Sequence, residues 1–138
     1  MKFGKDFGPT HVRPELRHKL RVCSWFKINK RKLCSSRADF WVFVQVGFKK
    51  LSQDFVIVPT DRFRQLMGSL HGLDKGSIHS YLWVTNNKQC WETRHMKGGR
   101  RDEYRVANSE ELDNLDPHRN FTEFLNDAGW KSLLDRLG

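Results

Sequence analysis

The sequence predicts an α/β (α+β) domain, a mixed central sheet flanked by helices, and three observations predict it. Phe40-Trp41-Val42-Phe43-Val44 and Phe55-Val56-Ile57-Val58 are apolar runs of strand length with no polar alternation, so each strand is covered on both faces. After them come helical signals: Thr60-Asp61 opens a segment carrying Phe63, Leu66, Met67 and Leu70 at helical spacing, and Asn120-Phe121-Thr122-Glu123 resembles a capping box. The chain has 138 residues, enough for one domain that buries roughly two-thirds of its unfolded surface.

In chain order, residues 1–19 contain Gly4, Gly8, Pro9 and Pro14 and read as a basic, loosely ordered arm with at most a helical turn over 15–19. A single α/β domain is expected over 20–138. Leu20 to Ile28 mixes β-branched, aromatic and polar residues like a half-exposed strand, and a basic loop, Asn29 to Arg37, follows. The short link over 47–53 predicts an antiparallel hairpin between the two apolar strands. Pro59 ends the second, and the helix it precedes stops at Gly72. Ser80 to Thr85 is a further strand, turning at Asn86-Asn87-Lys88 into a partner over Cys90 to Thr93. His95 to Asp102, with Gly98-Gly99, reads as a mobile loop. The last helix starts at Asn120, places Phe121, Phe124, Leu125, Leu133, Leu134 and Leu137 on one side, and bends at Gly129-Trp130.

Composition narrows the setting. No run approaches the roughly 18 apolar residues of a membrane span, and Met1 to Asp6 lacks the apolar segment of a secretory signal. Three cysteines, Cys23, Cys34 and Cys90, cannot all pair within one chain and read as reduced thiols. A soluble cytoplasmic protein is the expectation. The net charge of +9 lies at one end: Lys2, Lys5, Arg13, Arg17, Lys19, Arg21, Lys27, Lys30, Arg31, Lys32 and Arg37 face only Asp6 and Glu15, and the remaining residues balance.

That asymmetry marks DNA or RNA as the expected partner. Lys19, Arg21, Lys27, Lys30, Arg31, Lys32 and Arg37 form a phosphate grip, with Trp25 placed to stack on a base. Lys97, Arg100 and Arg101 in the glycine-containing loop form a second contact. Cys23, Cys34, Cys90 and His95 lack the Cys-x2-Cys spacing of a zinc site, and nothing local supports pairing Cys90 with His79 or His95 as a nucleophile. No catalytic residue, metal ligand or cofactor is evident.

The order Asp39 to Val44, Asp54 to Thr60, a helix, and an aromatic C-terminal helix around Gly129-Trp130-Lys131-Ser132-Leu133-Leu134 resembles the later half of nuclease-like domains of the PD-(D/E)XK superfamily. The resemblance implies a restriction-endonuclease-like fold and, where the family's carboxylates are present, magnesium-dependent phosphodiester hydrolysis. Here the strand Arg21-Val22-Cys23-Ser24-Trp25-Phe26-Lys27 contains no acid, so no catalytic position carries over. The expected function is a nucleic-acid-binding domain of nuclease-like fold, not catalytically complete alone. Two alternatives stand beside it: an endonuclease completed by another chain or protomer, with magnesium as cofactor, and a protein-interaction or self-associating module that forms a homo-oligomer.

Overall fold

A computed structural model describes residues 2–3, 5–6, 20–46, 53–92 and 117–137. The strands are β1 (Lys2–Phe3), β2 (Lys5–Asp6), β3 (Leu20–Asn29), β4 (Phe40–Val46), β5 (Gln53–Pro59), β6 (Ser77–Thr85) and β7 (Cys90–Glu92); the helices are α1 (Lys30–Ser35), α2 (Thr60–His71) and α3 (Asn126–Leu137). Two single 3-10 turns, Pro117–Arg119 and Thr122–Phe124, precede α3. The α+β mixture expected from the sequence is present.

The strands form two sheets instead of one. One has the order β1-β4-β5 and the other β2-β3-β6-β7. Only residue 4 separates β1 from β2, and β1 pairs parallel with β4 while β2 pairs antiparallel with β3, so the first residues bridge the sheets. The basic arm is therefore not unstructured at residues 2–3 and 5–6; the rest of it, over 7–19, lies outside the described residues. Strands of two residues leave no periodic trace in a sequence, and periodicity reports faces, not lateral neighbours.

The hairpin is present: β4 and β5 pair antiparallel from Phe40↔Pro59 to Val46↔Gln53. Its residues Trp41, Phe43, Val56 and Val58 share one face and meet Val22, Phe26, Ile28, Ile78, Leu82 and Val84 of the other sheet. Phe26 meets Phe43 edge-on at 4.9 Å, and Phe63 of α2 stacks on Phe43 at 5.2 Å. The opposite face, with Ile57 and Phe55, is covered by α3, where Trp130 lies 6.0 Å from the Phe55 ring. Coverage on both faces was the reading of the unbroken apolar runs.

Helix boundaries differ in informative ways. Thr60 is not a cap; it is the first helical residue, its hydroxyl donating to the Ala38 carbonyl (2.5 Å) and its N–H to that of Asp39 (2.9 Å). Gly72 ends α2 at φ 74°, where a side chain would be strained. The expected loop over 29–37 contains α1, capped by Asn29 Oδ1 accepting from Lys32 N (2.9 Å) and anchored by buried Leu33. A helix of under two turns has room for one apolar anchor and so shows no periodicity.

The last helix begins at Asn126, not Asn120, and runs unbroken past Gly129. Asn120 instead accepts from Thr122 N (3.0 Å), and Phe121, Phe124 and Leu125 are buried before the helix starts. Asn126, at φ 48°, accepts from Phe55 N (2.7 Å) and donates to Asp54 Oδ1 (3.0 Å), stitching the helix start to β5. Gly129 is buried where a Cβ would collide with the Phe124 carbonyl and lie 3.1 Å from Ile57 Cβ. Of the residues expected on one side of a single helix, Phe121, Phe124 and Leu125 are buried, whereas Leu134 and Leu137 are 63% and 70% exposed.

Candidate nucleic-acid interface

On β3 the even residues Val22, Ser24, Phe26 and Ile28 are buried against the core, and the opposite face is covered at Cys23, half-buried at Trp25 and exposed at Lys27. Directly across on β6, Trp25 faces Tyr81 and Lys27 faces His79. The Trp25 and His79 rings stack with 5.6 Å between centroids and 14° between planes. Two residues further on, the strand runs into α1.

Along α1 the chain exposes Arg31 and Lys32, with half-buried Lys30 ahead of them and exposed Arg37 just beyond. The first turn of α1 contains no acid, and residues 20–38 contain none at all. Lys30 and Arg31 at the positive end of the helix oppose the dipole by roughly 0.3–1 kcal/mol each, whereas Lys32 also falls in the last turn. Helix stability would place acids there, and a local rule broken on the surface is the pattern expected of a functional site.

Arg64 of α2 holds α1 in place, donating through Nε to the Leu33 carbonyl (2.9 Å) and through Nη2 to that of Ser36 (2.5 Å). The Leu33 carbonyl also accepts the Ser36 N–H (3.4 Å), so Arg64 adds a second donor at the helix end. Lys30 N donates to the Gly76 carbonyl (3.0 Å), which brings exposed Lys75 alongside, and Lys30 Nζ donates to the last turn of α2 at the His71 carbonyl (3.3 Å). Sequence reasoning missed Arg64, Lys75 and His79. Arg64 and Lys75 look like ordinary surface cations in a sequence, and His79 is tied to Trp25 only by strand register.

Arg21 is exposed but engaged elsewhere. Leu20 pairs with Thr85 and Val22 with Val84, so Arg21 is the extra residue of a β-bulge. The bulge turns its side chain away from the basic ridge to Asp54, with Nη2 3.3 Å from Oδ1. Its charge is matched by a carboxylate that is itself buried. Arg21 also lies roughly 20 Å along the strand from Lys27. Lys19, Lys97, Arg100 and Arg101, and the loop over 95–102, lie outside the described residues.

Two buried carboxylates that sequence reasoning passed over are engaged within the structure. Asp54 is held by Arg21 and Asn126. Glu92, on the core side of β7, meets Arg119 Nη1 at 2.8 Å, His71 Nε2 at 3.3 Å and the Ser80 hydroxyl at 3.2 Å. Asp39 is exposed, and its carbonyl fastens the start of α2. It sits at the end of the hairpin opposite Asp54, about 20 Å away along the strands. Among the described residues no group of three or more His, Cys, Asp or Glu converges as metal ligands would.

The cysteines are free, with Cys23 and Cys90 buried and Cys34 exposed. Burial, reinforced by the Asp54 carboxylate, pushes the Cys90 thiol far above its ordinary range, so it is no thiolate nucleophile. A cleft of about 490 Å³ between α2 and α3 is lined by Asp61, Arg62, Glu123 and Arg136, whose charges pair across it at 3.7 and 3.8 Å and sum to zero. No helix among the described residues is long and apolar enough to cross a membrane. No family model, curated protein or solved structure matches this chain.

Proposed function

We propose that the chain is a nucleic-acid-binding domain that holds the phosphate backbone through Lys27, Lys30, Arg31, Lys32 and Arg37, with Lys75 added from the neighbouring loop. The observation that carries this reading is the acid-free ridge of α1, clamped to α2 by Arg64 and carrying Lys30 and Arg31 at its positive end, where acids would serve helix stability. Phosphate contacts of this kind give affinity with little sequence selectivity. The restriction-endonuclease-like part of the proposal rests on the pattern of residues 39–60. The domain is read as incomplete for catalysis because its buried acids, Asp54 and Glu92, already face arginines.

A gel shift with duplex, single strand and hairpin RNA across a salt series tests the binding. Steeply salt-dependent retention is expected, and replacing Arg31 and Lys32 together by Glu should flatten the slope by about two phosphate contacts. No retention of any nucleic acid at low salt sinks the proposal. Magnesium in the same lanes covers the endonuclease alternative, which requires nicking that disappears with Asp39→Asn. A second reading, self-association, is favoured by one observation: Trp130, Leu134 and Leu137 of α3, at i, i+4 and i+7, are 42%, 63% and 70% exposed. A mass that rises with concentration in light scattering would support it.

A further inference from the structure

We infer that Arg64 is a positioning residue for the phosphate grip: it contacts no phosphate itself and sets affinity by holding α1 in the shape that presents Arg31, Lys32 and Arg37. The inference rests on the binding function proposed above. Its starting point is the weakness of α1 on its own. The helix has six residues, and isolated helices shorter than about 12–15 residues are marginal in water. Lys30 and Arg31 stand at its positive end with no acid beside them, which opposes the helix dipole. Contacts from other elements must therefore keep the segment helical.

The Gly76 carbonyl holds the first residue through Lys30 N, buried Leu33 anchors the middle, and Arg64 secures the end. Arg64 does most to set direction. Its guanidinium is one rigid plane, and Nε and Nη2 reach the Leu33 and Ser36 carbonyls together, at 2.9 and 2.5 Å. Two bonds from one plane fix the orientation of the helix end as well as its distance. They also place a cation at the negative end of α1, where the dipole favours one. The fork itself stands on a fixed base, because its neighbours Phe63, Leu66 and Met67 on α2 are buried. Arg64 is half-buried with these donors committed to α1, whereas Arg31, Lys32 and Arg37 are exposed. A ridge formed in advance spares a bound phosphate chain the cost of ordering long side chains.

The full chain is titrated across a salt series with labelled oligothymidine and a DNA duplex, each of about 16 units. Arg64→Lys keeps the charge and loses the two-carbonyl fork. Asn29→Ala removes the cap at the other end of α1 and leaves every cation in place. Each should weaken binding at least about fivefold, the loss expected when Arg31 and Lys32 must be ordered on binding, with the salt slope unchanged. Arg31→Ala should instead flatten the slope by about one contact. Urea melts and the stoichiometry at saturation restrict the comparison to folded protein; a purely structural role would move the melt and leave the affinity of the folded protein alone. Parent affinity in both loosened variants overturns the inference and leaves the phosphate grip standing. So does parent affinity in Arg64→Lys with a slope flattened by about one in Arg64→Gln, which would make Arg64 a direct contact. Failure of the parent to retain either probe at low salt removes the binding function itself.

Discussion

Replacing Glu92 by Gln tests how this interior is held. The carboxylate is fully buried, and three groups from three elements converge on it: Arg119 at 2.8 Å, His71 at 3.3 Å and Ser80 at 3.2 Å. Gln keeps the volume and one acceptor oxygen but removes the charge that the Arg119 guanidinium, 12% exposed, meets at 2.8 Å. Removing one partner of a buried pair costs about 3–5 kcal/mol. The retained Ser80 bond and the edge of Arg119 that reaches water favour the lower end, about 3 kcal/mol. Total stabilities are about 5–15 kcal/mol, and for a chain of this size that loss lowers Tm by about 10 °C. Urea melts of Glu92→Gln, Arg119→Gln and the double variant measure the coupling, and the double variant should cost at least about 1 kcal/mol less than the sum of the singles. A single-variant loss under about 1 kcal/mol, or additive losses, refutes the claim that this ion pair fastens β7 and the 3-10 turn to α2.

Other outcomes follow from packing and burial. Gly129→Ala should destabilise the fold by about 1–3 kcal/mol, since the new methyl meets the Phe124 carbonyl and Ile57; an unchanged urea midpoint would mean that α3 does not lie this close to β5. Iodoacetamide should modify exposed Cys34 in the folded protein and reach Cys23 and Cys90 only in denaturant; fast labelling of Cys90 would contradict its burial. The folded Cys90 thiol stays neutral while the unfolded one ionises above about pH 8.5, so its contribution is whole below that pH and is lost above it. Stability should fall about 1.4 kcal/mol per pH unit more steeply in the parent than in Cys90→Ala, and parallel profiles would oppose it.

Much of the fold was legible along the chain because it is written in local patterns. The unbroken runs at Phe40 and Phe55 marked strands covered on both sides, and the hairpin, α2 with its stop at Gly72, and the turn at Asn86 to Lys88 all lie where residue chemistry places them. What was misplaced needed neighbours distant in sequence. Asn120 offered a cap as good as any, yet Phe121 and Phe124 gain more by burial beside Phe63 than by helical hydrogen bonding, so α3 waits until Asn126 can bind β5.

The charge asymmetry and the absence of acid from residues 20–38 are properties of the sequence alone, and they suffice to nominate a basic surface. Which cations share that surface is decided only by tertiary structure. A one-residue bulge hands Arg21 to Asp54, strand register sets His79 against Trp25, and Arg64, distant in sequence, fixes the helix that presents Arg31 and Lys32. The physical reason is range: caps, turns and periodicity act within a few residues, whereas the pairing of buried charges and the lateral order of strands depend on what the whole core brings together.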